Sequence, residues 1–589
     1  MTPRIPGITQ RGQHLLAAVG TVAAMARDDL TWLTVQAGRK LPSAARSRLG
    51  SRATRSTGVL GAWGELMLDH PKRARARLAA LPRSGRLAAT LSVHAGIAPG
   101  PQAPAAQRAR WAWLTGDLQQ IRDLLATDDL PTRVRARLSG DLEALTGGPR
   151  PLPRATRDWP VGDEPGATDQ HRPLHVLTNS LPWTRSGYAL RTHAILTAQR
   201  AAGMAVAAIT RPAYPVSIGK VLTTDVDVVD GIAYHRCVPA GLPPGEAQRV
   251  DVWAEHIVRL AAEHRATVIH STTHYPNALA AQAAARTLDL PWVHEVRGQL
   301  ERTWASGRQR HGDPDPYGSE RYTAWRLRET ELAAQADHVI TLSEVMKADL
   351  AERGVDPHRI TVVPNGIDPA LLERSIEPAE ARRRLGLPTD GFWVGAVSSV
   401  VHYEGFDTLL DAVALAREQG LDVRVAIVGD GLAWPGLKEQ AARLGIADHV
   451  LLPGRLPRQE SLRWLDALDV VVVPRHDHEV TRLVPPLKVA EAMGAGRPVI
   501  ASDLPALAEL VRDGQSGLLV PPGKALGLAT ALAALTDANR RRALASLACK
   551  HASELTWTGL VRRHILAYAS IPGRVVPSVS GGTREDGTP

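Results

Sequence analysis

Three cations lie within fourteen positions of one another: Arg475, Arg482 and Lys488. Arg475 follows the apolar run Val470–Val473 and opens the polar stretch Arg475-His476-Asp477-His478-Glu479. Lys488 stands in Pro485-Pro486-Leu487-Lys488-Val489-Ala490-Glu491-Ala492-Met493, which reads as the start of a helix. A helix N-terminus beside cations suits a diphosphate. Its unpaired N–H groups and dipole face the anion, and ammonium or guanidinium groups add charge-assisted bonds. Glu491, one turn inside, is placed to accept bonds from ribose hydroxyls. The His-Asp-His run raises a metal site against a solvated loop. The loop is preferred and no metal is expected.

Three earlier segments also end apolar runs in chemistry-bearing residues. Asn179 to Tyr188 contains Ser186-Gly187. A glycine there lets a ligand reach the backbone at a helix start, although the segment is not a GxGxxG fingerprint. His270-Ser271-Thr272-Thr273-His274 puts two histidines at and just beyond a strand end, where side chains face a ligand; a satisfied structural histidine is the plainer alternative. In Glu295-Val296-Arg297-Gly298, Arg297 is suited to a carboxylate, phosphate or sugar hydroxyl, or to an ion pair with Glu295 or Glu301.

These residues need a scaffold. The chain has 589 residues, 44% hydrophobic and 22% charged, enough for several cores without disulfide or metal. That excludes general disorder, collagen-like repeats and a coiled-coil rod. Cys237 and Cys549 make neither a disulfide framework nor a four-cysteine zinc site, and a reducing compartment fits them. Short apolar runs alternate with helix-length segments at Leu174–Thr178, Ala205–Thr210, Thr267–His270, Trp292–Val296 and His338–Leu342. A second set follows at Trp393–Val397, Arg424–Val428, Val450–Leu452, Val470–Val473 and Val499–Ala501. The alternation predicts an α/β protein with two doubly wound parallel sheets facing a cleft, ligands binding beyond the strands' carboxyl ends. Residues 1–147 read as helical, with a faint echo of Trp63, Leu66 and Asp69 in Trp111, Leu114 and Asp117. The expected boundaries are a linker at 148–172, domains at 173–377 and 378–555, a helix at 556–571 and a disordered tail at 572–589.

From about residue 173 to 570 the chain resembles glycosyltransferase family 4, retaining enzymes with the GT-B fold. The matching segments are His274-Tyr275-Pro276-Asn277, Glu295-Val296-Arg297-Gly298, Pro364-Asn365-Gly366-Ile367-Asp368, Tyr403-Glu404-Gly405 and Val428-Gly429-Asp430-Gly431. Leu487-Lys488 through Glu491-Ala492-Met493, and Asp513-Gly514 with Ser516 to Gly523, complete the series. The resemblance implies transfer of a hexose from a nucleotide diphosphate sugar without metal or bound cofactor. It places His274 at the donor sugar, Arg297 towards the acceptor, and Ser186-Gly187 in a loop approaching the reacting centre. Glu491 would hold the ribose, and Gly454 and Arg455 would receive the base. Where the family commonly has a phosphate-binding Arg and Lys, this chain has Ser399 and Glu404, and Leu483 replaces the first of two glutamates. Ser399 is still expected at the donor diphosphate, with Arg482 and Lys488 as the substitute cations; a branch of the family carries Tyr-Glu-Gly and Pro-Leu-Lys together.

Charge adds a partner. Residues 1–160 hold 24 Lys+Arg and 11 Asp+Glu, so the net +10 of the whole chain belongs to this end. Such a region can dock on anionic lipid, or simply stay soluble. Nucleic acid is not expected, because no aromatic-basic motif accompanies the charge. Arg4 and Arg11 before the run Leu15–Ala26 resemble a signal peptide, but a nucleotide-sugar substrate argues for the cytoplasm. No run reaches the ~18–20 apolar residues of a membrane-spanning helix. The expected protein is a cytoplasmic hexosyltransferase that acts on a glycan or lipid-linked acceptor in envelope or exopolysaccharide synthesis, with the basic end as the part that would hold it at the inner membrane face. The alternatives are a catalytically silent GT-B scaffold and a nucleotide-sugar epimerase.

Overall fold

A computed structural model describes residues 10–39, 41–83, 85–153, 171–220, 224–239, 241–310, 312–374 and 376–571. Most of the expected linker and all of the expected disordered tail lie outside the described residues.

Among the described residues, eight helices precede the first strand: α1 (Gln10–Arg39), α2 (Ser43–Thr54), α3 (Val59–Met67), α4 (Pro71–Ala79), α5 (Arg86–His94), α6 (Ala105–Thr115), α7 (Leu118–Ala126) and α8 (Thr132–Thr146). Ala, Leu and Arg dominate them, which are good helix formers. α1 is interrupted at Asp29, which has extended φ/ψ and accepts the Trp32 N–H at 2.8 Å. Of the echoed positions, Asp117 caps α7, whereas Asp69 pairs with Arg39. Leu118, Ala144 and Leu145 join the core of the first sheet unit. Arg328 ties that unit to the Ala144 and Gly148 carbonyls. The helical region is therefore packed into the fold.

The first sheet has eight strands: β1 (Pro173–Leu177), β2 (Ala207–Thr210), β3 (Val226–Val229), β4 (Ile232–Arg236), β5 (Val268–Thr272), β6 (Trp292–Val296), β7 (His338–Thr341) and β8 (Ile360–Val362). Their order is β3-β4-β2-β1-β5-β6-β7-β8, parallel except for the β3–β4 hairpin. β1, β2, β5, β6 and β7 are buried along their whole length, as helices on both faces require. The hairpin was not expected, although Asp230-Gly231 signals it: both residues have positive φ, the geometry of a two-residue hairpin turn. The short β8 was missed too.

The second sheet has six parallel strands: β9 (Phe392–Val397), β10 (Val423–Val428), β11 (Val450–Gly454), β12 (Val470–Val473), β13 (Val499–Ser502) and β14 (Gly517–Val520), in the order β11-β10-β9-β12-β13-β14. β14 was not expected from the sequence. In both sheets the strand order reverses once while the strands stay parallel, between β1 and β5 and between β9 and β12. The final helix, Trp557–Ala569, returns to the first unit, where Trp557, Leu560, Val561 and Tyr568 pack with Val268, Val293, Ile340 and Val363.

Candidate active site

At the first reversal, the loops after β1, β5 and β6 enclose a cavity of about 130 Å³ lined by Asn179, Ser186, Tyr188, Thr273, His274 and Arg297, among others. Ser186 caps the helix Gly187–Ala201, its hydroxyl accepting from the Ala189 N–H at 3.3 Å. His274 is the N-cap residue of the helix Tyr275–Leu288. Asn277 staples this corner, donating to the Thr272 carbonyl and the Thr178 hydroxyl, both at 2.9 Å. Burial, with Arg211 nearby, lowers the His274 imidazole to about 4, so it is neutral at pH 7. Its buried Nδ1 has no hydrogen-bond partner among the described residues. An unpartnered buried nitrogen in a cavity wall is costly unless a ligand meets it.

Arg297 is more committed than the sequence suggested. Its Nη2 donates to Glu295 Oε2 at 2.6 Å, and its Nη1 donates to Thr192 Oγ1 at 2.5 Å and to the Tyr188 carbonyl at 3.2 Å. It holds the first loop against β6, and the expected pair with Glu295 is buried rather than superficial. Glu295 also binds Arg191, whose Nη2 donates at 2.8 Å, and lies 3.3 Å from His270 Nε2. Burial alone would raise the Glu295 carboxyl, but Arg297 and Arg191 together hold it well below the usual range. His270 bonds Tyr568 at 2.7 Å and is the satisfied structural histidine of the pair.

At the second reversal, Lys488 opens the helix Leu487–Gly494. Its Nζ donates to Ser398 Oγ at 2.8 Å and to the Glu404 carboxylate. Arg475 Nη2 donates to the same carboxylate at 2.9 Å, and its Nη1 to the Val484 carbonyl at 2.8 Å. Burial raises the Glu404 carboxyl, yet the two cations outweigh it and hold it at about 2. Burial lowers Lys488 to about 8 against the pull of Glu404. Gly405 makes this contact possible: a Cβ there would lie 1.8 Å from the Pro474 carbonyl oxygen, and φ is +71°. At 404 a carboxylate thus stands where the resemblance puts a lysine, and a lysine there would face Lys488 and Arg475.

Other expected residues are placed differently. Ser399 is exposed, and the preceding Ser398 carries the hydroxyl that meets Lys488. Arg482 does not join the cluster; its exposed guanidinium is held by Asp477 at 2.5 and 2.7 Å. The arginine joined to Lys488 through Glu404 is Arg475. Glu491 is half-buried and paired with Arg458 at 2.6 Å. Arg455 is exposed beside Asp430, and the Gly454 carbonyl accepts from the Gly429 N–H where β10 and β11 end. His476 pairs with Asp407. Among the described residues no three His, Cys, Asp or Glu side chains form a metal-like group.

The two corners meet. A Cβ on Gly187 would lie 3.6 Å from Leu487 Cδ1, and one on Gly298 would lie 3.9 Å from Val484 Cγ2. Arg191, which the sequence reading missed, grips the crossing between the units through the Val363 and Pro364 carbonyls and Asn365 Oδ1. Asn365 Nδ2 then donates to the Pro485 carbonyl at 2.9 Å, two residues before the lysine helix. An arginine four positions after Gly187, on the sheet-facing side of its helix, was the available signal.

The family model described as glycosyl transferase 4-like domain matches residues 186–366, and that described as glycosyl transferases group 1 matches 391–538. A D-inositol 3-phosphate glycosyltransferase of Thermomonospora curvata is 34% identical over 271 residues, 43% of this chain; the chain spans 62% of that relative's length. One of Frankia alni is 31% identical over 428 residues, 68% of this chain and the whole of the relative. Among solved structures, Anabaena HepE in complex with UDP and glucose aligns with a TM-score of 0.52 and 19% identity, covering 68% of this chain and all of that one.

Proposed function

The chain belongs to glycosyltransferase family 4 with the GT-B fold, and from that premise we propose that it moves a hexose from a nucleotide diphosphate sugar to a glycan or lipid-linked acceptor with retention of configuration. The observation that carries this reading is the contact of the two corners. The His274 cavity and the Lys488 helix N-terminus, each at a sheet reversal, are joined through Gly187 and Leu487. As the bond from sugar to diphosphate breaks, positive charge builds on the sugar and negative charge on the leaving diphosphate. Lys488 and the N-terminal N–H groups of its helix are preorganised for the latter, with no metal invoked. Neutral His274 offers Nδ1 to the sugar. Glu491 accepts from the ribose, and the β10–β11 end with Gly454 and Arg455 faces the base. HepE, which binds UDP and glucose, supports a uridine donor.

The acceptor is assigned to envelope or exopolysaccharide synthesis, with the basic helical region holding the enzyme at an anionic leaflet. A second acceptor class is favoured by the relatives' names: a small phosphorylated polyol. Calorimetric titration with UDP, GDP and ADP, free and sugar-linked and without added metal, tests the donor reading. Micromolar binding of one nucleotide, lost in Lys488→Ala, is expected. No binding by any of them would leave the fold as a scaffold.

A further inference from the structure

α1 is two-faced. Ala17, Thr21 and Ala24, spaced four and three residues apart, are buried, and Ala17 and Ala18 pack with Val216 and Val238 of the first sheet unit. Leu15, Val19 and Val22 have the same spacing, offset by two residues, which puts them on the opposite side of the helix. With Leu16 they are 49–59% exposed. A row of large aliphatic side chains left in water on a packed helix marks a contact surface.

The surrounding charge says what kind. Residues 1–100 carry 15 Lys+Arg against 4 Asp+Glu. Three of those carboxylates are spent internally: Asp29 on His94 and Arg110, Glu65 on Arg77 and His70, Asp69 on Arg39. Arg48, Arg52, Arg55, Lys72, Arg73 and Arg75, on or beside α2 and α4, are exposed and make no ion pair with a carboxylate among the described residues. α1, α2 and α4 all pack against α3, so row and cations belong to one small bundle. An aliphatic row gains nothing from a nucleic acid, whereas a row plus unneutralised cations matches an anionic bilayer surface. No described helix is long and apolar enough to cross a membrane, so the row lies in the interface.

We propose that α1 inserts Leu15, Leu16, Val19 and Val22 into the headgroup–acyl boundary of an anionic membrane, and that the cations of α2 and α4 supply the attraction. The proposal rests on, and deepens, the reading of a membrane-held transferase, because it assigns part of the binding to apolar insertion and makes it separable from the donor site. The test is co-sedimentation of the full-length protein with phosphatidylcholine vesicles, with and without phosphatidylglycerol. Wild type should bind only the anionic vesicles. Val19→Ser with Val22→Ser should weaken binding at least about tenfold, and Arg48→Glu with Arg52→Glu, which removes two cations and adds two anions, at least about 30-fold. Added salt should weaken wild type and the serine variant alike. Nucleotide binding and melting temperature should be unchanged in both variants, since all four positions are surface-exposed. Absence of wild-type binding, or full binding by the serine variant, would overturn the proposal. So would concentration-dependent dimerisation that the serine variant abolishes without any lipid binding, which would assign the row to a second copy. Failure of nucleotide binding with vesicle binding intact would instead remove the donor-site reading alone.

Discussion

The carboxylate at 404, shared by two buried cations, gives the most demanding prediction. Glu404 is the carboxylate shared by Lys488 and Arg475, and Lys488 sits at about 8 even with that partner. Glu404→Gln removes the carboxylate and leaves two buried cations facing each other. Breaking a buried pair by removing one partner costs about 3–5 kcal/mol. It also pushes Lys488 further down, so that at pH 7 the amine is largely neutral and a charge-assisted bond to the diphosphate, about 1.5–3 kcal/mol, is lost. That is about a 10- to 150-fold weaker dissociation constant. The wild type supplies the control. Lys488 binds its proton less tightly in the folded state than its usual value of 10.5. The unfolded chain therefore holds more protons between pH 8 and 10.5, and this group makes stability rise with pH across that window, by about 3 kcal/mol in all. Diphosphate affinity goes the other way. It should be level below pH 8 and fall towards tenfold per unit above it, as the amine loses its proton. Titration calorimetry with the cognate nucleotide from about pH 6.5 to 9.5 reads the affinity, and chemical denaturation over about pH 8 to 10.5 reads the stability. A flat wild-type profile through pH 9, or Glu404→Gln binding as tightly as wild type at pH 7, would refute the assignment of Lys488 to the diphosphate.

His274→Ala should cut turnover about 100-fold or more while nucleotide binding and melting temperature hold, because only the cavity side changes; near-normal turnover would remove His274 from the mechanism. Lys488→Ala should weaken nucleotide diphosphate binding at least tenfold, whereas Arg482→Ala should change it little, its guanidinium being held by Asp477 at the surface; titrations of the two variants side by side distinguish them. Asn365→Ala frees the Pro485 carbonyl and one arm of Arg191, and should lower stability by about 1–3 kcal/mol in chemical denaturation; an unchanged midpoint would mean the crossing between the units is held elsewhere. Deleting residues 1–150 strips Leu118, Ala144 and Leu145 from the first core, so soluble, monodisperse protein is not expected on gel filtration.

Much of the fold was legible because parallel, doubly covered strands are apolar on both faces and stand out as runs. β6 and β12 begin and end where Trp292–Val296 and Val470–Val473 do. The hairpin β3–β4 was missed because its first strand, Val226–Val229, is only partly buried and carries an aspartate within its apolar run. The helix starts at Gly187, Tyr275 and Leu487 were readable from local chemistry, and with them His274 and Lys488. What the sequence could not state is which cation faces which carboxylate. Arg475, Arg482 and Lys488 are near-equivalent along the chain. The turn at Gly405, pressed on the Pro474 carbonyl, brings Glu404 to two of them and leaves Arg482 in water. The link from Glu295 through Arg191 and Asn365 to Pro485 joins residues over a hundred positions apart. Strand runs and caps depend on neighbours in sequence, and the sequence alone determined them. The partnerships of buried charges depend on which strand ends meet after both sheets reverse, and only the tertiary structure decided those.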